Sequence, residues 1–249
     1  MRQRVGATTA IREAISDALA IVLPTDCVGC GVPDRTLCRA CTDALRPVGV
    51  TFVISPPAEK NPSGGNGSSS PAVSLPVWSA LSYEGVVRQA LGAFKEYGRT
   101  DVSSALAEVL FIPIHDAHRA LTPRLPSGAE LELMLAPSSA HAFRQRGYQP
   151  VEILARKARG GIRCNSTLRI RGAVADQSGL GREARRDNVH GSMAVSRPLA
   201  HRHFILVDDV VTTGYTILEC RRAIEAAGGT VWGAATLAYT KKFSEYPVV

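Results

Sequence analysis

The chain has 249 residues, 45% of them apolar and 20% charged, and carries a net charge of +7 with a pI of about 9.3. That length holds one large domain, or one domain with a small module, and the composition is that of a soluble globular protein. No apolar run reaches the ~18 residues that span a bilayer, and the best apolar stretch near the start, Ile11 to Leu23, is broken by Arg12, Glu13 and Asp17, unlike a signal peptide. The expected location is therefore the cytoplasm, without membrane insertion. The basic balance favours anionic partners, phosphates or nucleic acid, without choosing between them.

In chain order, Ile11, Ile15, Ala18, Leu19, Val22 and Leu23 fall near one face of a helix that Pro24 ends. Next come Cys27-x2-Cys30-x7-Cys38-x2-Cys41. Each CxxC turn presents two thiolates to one ion, and two turns complete a tetrahedral four-thiolate site with no open position, so a structural Zn2+ is expected. A module this short needs such a staple to fold. The clustering argues for metal over disulfides, while Cys164 and Cys220 stand apart as ordinary thiols. From Ser55 to Pro76, Pro, Gly, Ser and Asn dominate and no apolar period survives, which predicts a disordered linker. The expected organisation is a helix and four-cysteine zinc module over 1–50, a linker over 51–76 and a main domain over 77–249.

In the main domain Val77 to Tyr83 predicts a short strand. Val86, Val87, Ala90, Leu91 and Phe94 recur at helical spacing, with Lys95 read as an exposed lysine at the helix end. Residues 101–110 predict a helix, Glu132 to Ala136 a buried strand stopped by Pro137, and Pro150 to Ala158 another helix. His203 to Val207 is a continuous apolar run of the kind buried on both faces of a parallel sheet. Thr216 to Ala227 predicts a helix closed by Gly228 and Gly229, and Thr230 to Tyr239 the next strand. That is a βαβ unit, so the fold class is α/β with a mostly parallel central sheet.

The turn inside this unit carries the chemistry. Asp208 and Asp209 stand at the carboxyl end of a buried strand, where open α/β sheets bind ligands. Val210, Val211, Thr212, Thr213, Gly214, Tyr215 and Thr216 lead into a helix. A helix start has unpaired N–H groups and partial positive charge, so a phosphate there would accept backbone hydrogen bonds and threonine hydroxyls. Gly214 permits close approach of the backbone. Two acids would repel a phosphate, but they suit ribose hydroxyls or metal-bound water.

This stretch resembles the phosphoribosyl pyrophosphate (PRPP) signature of the type I phosphoribosyltransferases. Four further pieces resemble the ComF-like branch of that superfamily: Tyr83 to Leu91 with Lys95, Gly98 and Arg99; Pro137-Ser138 followed by Arg144-Gln-Arg146-Gly147-Tyr148; Gln177 to Leu180 with Arg185 to Val189; and the four-cysteine module. The resemblance implies the type I phosphoribosyltransferase fold. It implies that Asp208 and Asp209 hold the ribose hydroxyls and that residues 210–216 cradle the 5′-phosphate. The loop at Pro137, Ser138 and Ser139 would meet pyrophosphate through backbone N–H groups, with Mg2+ bridging ligand oxygens. Arg144 and Arg146, and Arg185 and Arg186 on a closing hood, would neutralise pyrophosphate through guanidinium forks. The chain departs from the branch at Tyr215, where small residues are common, and at Gln149-Pro150, where Asn-Gln is usual.

The activity so implied is a pentosyltransferase that displaces pyrophosphate from ribose C1 by a nitrogenous base. The protein would supply positioning and charge stabilisation, with Asp209 the best-placed acceptor of a proton. The alternative implied by the same branch is a non-catalytic competence protein of the DNA-uptake machinery, with or without a response to PRPP, that binds single-stranded DNA along the basic stretch from Arg144 to Arg186. The acceptor base and the oligomeric state are not legible in the residues.

Overall fold

A computed structural model describes residues 25–56, 74–171 and 191–240. The expected helix over 11–23 and the hood pieces, with Arg185 and Arg186, lie outside the described residues. The elements run α1 (Arg39–Ala44), β1 (Val50–Ile54), β2 (Leu75–Ser82), α2 (Gly85–Glu96), a 3-10 turn (Thr100–Val102), α3 (Ser103–Leu121), β3 (Leu131–Leu135), α4 (Ala140–Arg146), α5 (Pro150–Ala158), β4 (Cys164–Asn165), β5 (Leu168–Ile170), β6 (Met193–Val195), β7 (His203–Val211), α6 (Tyr215–Glu225) and β8 (Thr230–Tyr239). Among the described residues, no helix is long and apolar enough to cross a membrane.

Six strands form one sheet in the order β1-β2-β8-β7-β3-β4. Only β1 and β2 are antiparallel; β2–β8, β8–β7, β7–β3 and β3–β4 are parallel. This is the mostly parallel α/β sheet that the apolar runs predict. The central strands are apolar on both faces because both faces are covered. Ile205 and Val207 join Leu91, Phe94, Leu106, Leu110, Leu154 and Ala155 from α2, α3 and α5 on one face. Phe204 and Leu206 join Ile217, Cys220, Ala223 and Ile224 of α6 on the other. The ribbon β5–β6 closes that second face through Leu168 and Met193.

α3 is longer than its expected span of 101–110 and runs through Pro113. Proline removes one hydrogen bond and crowds the preceding turn. The apolar stripe nonetheless continues past it as Ile114, Ala117 and Leu121, all fully buried, and their packing offsets the loss.

The expected linker of 51–76 is corrected at both ends. Residues 50–54 are β1, and Leu75 and Pro76 already belong to β2, with Ile54 opposite Leu75. Alternate burial of Phe52 and Ile54, not composition, makes this strand. Ser55 and Ser74 hydroxyls lie 2.8 Å apart. The Pro/Gly/Ser stretch thus leaves and re-enters at one end of an antiparallel pair; it does not space the cysteine module from the sheet. The module instead runs straight into β1: Val48 and Gly49 N–H both donate to Ala80 O at 3.1 Å. Leu45, Val28 and Leu37 pack into the main core.

Because closure entropy grows slowly with loop length, replacing residues 57–73 by Asn-Gly should leave the thermal midpoint within about 3 °C of the parent or raise it. A fall of ten degrees or more in a calorimetric melt would show that the removed segment holds the fold together.

Candidate functional site

The sheet order creates the site. β7 passes through α6 to β8 on one side, while β3 passes through α5 to β4 on the other. α6 and α5 cover opposite faces. Between β7 and β3 the connections therefore diverge, and such a switch point leaves a crevice at the carboxyl ends of the strands. β3 stops at Leu135 opposite Val207, whereas β7 stays paired with β8 as far as Val211 opposite Tyr239. The tail of β7, residues 208–211, therefore has a neighbouring strand on one side only. On its open side the chain leaves β3 at Ala136, whose N–H donates to Val207 O at 2.9 Å.

Both acids stand in this tail. The sequence reading ends the strand at Val207; the structure carries it four residues further, because β-branched Val210 and Val211 continue the ladder with β8. Alternation turns Asp208 and Asp209 toward opposite faces. Asp209 is buried on the α2 side, with Oδ2 at 2.7 Å from Lys95 Nζ. Asp208 is half-buried and its Oδ1 accepts the Asp209 N–H at 2.8 Å. Burial, then the charge of Asp209, pushes the Asp208 carboxyl up to about 7 against the opposing effect of Lys95. Burial works against the Lys95 charge, but Asp209 and then Asp208 outweigh it and hold the ammonium above its usual value. Lys95 is thus no exposed helix-end lysine: its side chain is one-quarter exposed and tied to the acid pair. The sequence signal for it is the place of Lys95 in the stretch from Tyr83 to Arg99 that resembles the ComF-like branch.

The turn after β7 is confined to residues 212–214, since the strand runs to Val211 and α6 begins at Tyr215, one residue before its expected start. Thr212 is exposed, Thr213, Tyr215 and Thr216 are half-buried, and Gly214 caps α6 in the left-handed region at φ 80°. The first helical hydrogen bond runs from Leu218 N–H to Gly214 O at 3.0 Å, so the amides before Leu218 have no intrahelical acceptor. A Cβ on Gly214 would lie 3.3 Å from Ile54 Cγ2, so the β1–β2 hairpin backs this turn. The Thr240 hydroxyl donates to Thr212 O at 3.1 Å.

Across the crevice, Pro137, Ser138 and Ser139 are half-buried. Ser139 Oγ caps α4 by accepting Ala142 N–H at 3.1 Å. Ser138 N–H donates to Gln149 Oε1 at 3.1 Å. Gln149, at a position where the chain departs from the branch, therefore ties this loop to the start of α5, and Pro150 takes the first helical position, where its missing N–H costs nothing. The departure at Gln149 is legible in the sequence, but its hydrogen bond to Ser138, eleven positions away, is not. Arg144 is exposed. Arg146 is not free: its Nη2 lies 3.2 Å from Glu96 Oε1, and its buried Nε has no partner among the described residues. The Tyr148 hydroxyl donates to Phe94 O.

The four cysteines converge. The Sγ atoms of Cys27, Cys30, Cys38 and Cys41 lie within 4.8 Å of one another, with Cys30 and Cys38 3.6 Å apart. Tetrahedral zinc with Zn–S of about 2.3 Å sets sulfurs about 3.8 Å apart, so the set fits such an ion. Burial raises the Cys27 thiol, but the N–H groups of Cys38, Gly29 and Cys30 outweigh it and bring the thiol to about 6. Cys38 N–H lies 3.3 Å from Cys27 Sγ. Burial and the neighbouring thiols push Cys41 up, the repulsion that a bound cation would relieve. The module rests on α2: a Cβ on Gly29 would lie 2.6 Å from Cys41 Sγ and 2.9 Å from Val86 Cγ1. Arg99 Nη1 donates to Asp26 O at 3.0 Å, and the Thr36 hydroxyl donates to Asp101 at 2.7 Å.

No protein-family model matches the chain. It is similar to DNA utilization protein YhgH of Escherichia coli K12, with 28% identity over 141 residues, covering 54% of this chain and 60% of that one. It is similar to Competence protein F of Haemophilus influenzae, with 29% identity over 153 residues, covering 57% and 64%. An orotate phosphoribosyltransferase of Xanthomonas axonopodis pv. citri is 43% identical over 54 residues, covering 22% and 25%. A solved hypoxanthine phosphoribosyltransferase of Staphylococcus aureus superposes at TM-score 0.31 with 9% identity over 57% of this chain and 70% of that one, too slight a likeness to equate the folds. The chain thus spans less than two thirds of the length of the curated relatives it matches, and those relatives are of the ComF-like kind that its motifs resemble.

Asp208 gives a pH signature. Its folded value is raised above the ordinary 3.8, so its stabilising contribution is complete below that value and is lost as pH rises through about 7. The thermal midpoint should fall as pH rises from about 4 to about 7 and level off above that, and Asp208→Asn should flatten that fall; parallel profiles in the two proteins would contradict it. For the cysteines, metal analysis should find one zinc per chain, and Cys41→Ser should lower both the zinc content and the thermal midpoint.

Proposed function

We propose that the protein binds PRPP, or a related ribose 5-phosphate, with Mg2+ in the crevice between β7 and β3, and transfers the phosphoribosyl group to a nitrogenous base. The observation that carries this reading is the switch point. It sets an acid pair and a threonine-glycine helix start on one strand end, opposite the Pro137–Ser139 loop of the next. The 5′-phosphate sits against the amides at the start of α6 and the hydroxyls of Thr212, Thr213 and Thr216. The ribose lies over the end of β7, where its hydroxyls donate to Asp208 and Asp209. The pyrophosphate extends to the Ser138–Ser139 loop, with Arg144 beside it. Domain roles follow: the cysteine module is a structural support, and residues 77–249, with β1 added to their sheet, form the phosphoribosyltransferase-like domain.

In the reaction a ring nitrogen of the base forms the bond to C1 as the C1–O bond to pyrophosphate breaks. Mg2+, when bound, neutralises the departing pyrophosphate. The nitrogen's proton passes to a carboxylate. Asp209 is committed to Lys95, which leaves Asp208, whose raised value suits it to hold a proton near neutrality.

A second reading draws on the names of the relatives: a DNA-uptake protein that binds single-stranded DNA without turnover. Arg144, Arg159 and Arg169 are exposed, but Arg156 pairs with Glu152 and Arg163 with Glu130, which lowers the charge free for phosphates.

PRPP with Mg2+ should raise the thermal midpoint by several degrees, as any ligand specific to the folded state does, and Asp208→Asn with Asp209→Asn should abolish the shift. Pyrophosphate release with candidate bases then identifies turnover. No shift in the parent, together with salt-sensitive binding of single-stranded DNA in fluorescence anisotropy, would favour the second reading.

A further inference from the structure

The ion pair at the acid site is held from outside the crevice. Lys95 lies in the last turn of α2, and the residues around it are fastened. The Tyr148 hydroxyl donates to Phe94 O, and the two rings pack at 5.5 Å between centroids. Glu96 receives Arg146. Arg99, just beyond the helix, binds Asp101 through two nitrogens and reaches back to Asp26 O. The helix end is therefore fixed on three sides, and from it the Lys95 ammonium reaches Asp209 Oδ2 at 2.7 Å.

The charges follow from that placement. Two adjacent carboxylates would ordinarily call for a divalent cation. Here Asp209 Oδ2 already faces an ammonium at 2.7 Å, and Asp208 Oδ1 is taken by a backbone N–H at 2.8 Å. Among the described residues, Asp208 Oδ2 and Asp209 Oδ1 carry no hydrogen bond, which leaves two acceptor oxygens for two sugar hydroxyls. A divalent ion brought against Asp209 would meet the ammonium at close range, where like charges repel strongly in a partly desolvated site.

We infer that Lys95 is the resident cation of the acid pair: it supplies to Asp209 the positive charge that a metal would otherwise bring, so the ribose phosphate moiety binds here without a divalent ion. This rests on the ribose-phosphate reading of the crevice. It confines any Mg2+ to the pyrophosphate end of a larger ligand, and it makes Lys95 a positioning residue, acting through Asp209 and not on the reacting atoms.

The test is calorimetric titration with ribose 5-phosphate, which lacks pyrophosphate, in EDTA and in Mg2+. The parent should bind with affinities that agree within about twofold in the two buffers. Lys95→Met should lose about tenfold in EDTA and recover much of it in Mg2+, and Lys95→Arg, which keeps the charge, should stay near the parent. A merely structural lysine would not convert a metal-independent site into a metal-dependent one. Binding by the parent only when Mg2+ is present overturns the inference and leaves the ribose-phosphate reading standing, and this arm needs no variant to fold. Lys95→Met binding as the parent does in EDTA overturns it too. No binding by the parent in either buffer overturns both.

Discussion

Two crossovers that leave neighbouring parallel strands in opposite directions keep the connections after β7 and β3 apart, and every feature of the crevice hangs on that divergence. Right-handed crossovers that run outward to opposite sides, from β7 to β8 and from β3 to β4, must pass over opposite faces of the sheet. Because they lie on opposite faces, the loop after β3 and the turn after β7 both open into the same gap. The difference in strand length does the rest. β7 outruns β3 by four residues, and those four contain both acids. An acid pair inside a fully paired strand would be closed off by a neighbour; here one side stays open.

The second organising element is α2. It is amphipathic, with Val87, Ala90, Leu91 and Phe94 buried against the sheet. Its first turn meets the cysteine module through Val86 and Gly29, and its last turn meets the acid pair through Lys95. The same last turn receives the segment after β3 through Tyr148 and Arg146. One helix therefore touches the cysteine module and both walls of the crevice.

Much of this is legible in the sequence where local pattern determines structure. The runs at 203–207 and 230–239, the helix between them and the glycines that close it follow from apolar period and capping, and the cysteine spacing alone predicts the convergence of four thiols. What is not legible depends on partners distant in sequence. β1 hides in a region whose composition reads as linker, because its strand character comes from burying Phe52 and Ile54 beneath β2. The end of β7 escapes local pattern because Asp208 and Asp209 are poor strand formers held in line by the β8 ladder. Lys95 reads as one more solvated charge until the helix that carries it is set against Asp209.

The position of Gln149 shows how a departure from a family pattern can be absorbed. With Pro150 fixed as the first residue of α5, the backbone before it is held away from the helical region, and Gln149 is extended at φ −103°, ψ 107°. An extended residue at that point sends its side chain back toward the end of β3, where the amide oxygen takes the Ser138 N–H. The proline and the glutamine thus work as a pair: one sets the direction and the other makes the bond. A ligand that uses the Ser138 amide must displace a side chain of this chain to do so, whereas the Ser139 side chain is already spent on capping α4. The crevice is therefore asymmetric before any ligand arrives, with bare amides at the start of α6 and the Ser138 and Ala142 amides around the start of α4 already taken. An anion entering it meets its first ready hydrogen-bond donors on the β7 side, next to the acids that would hold the sugar.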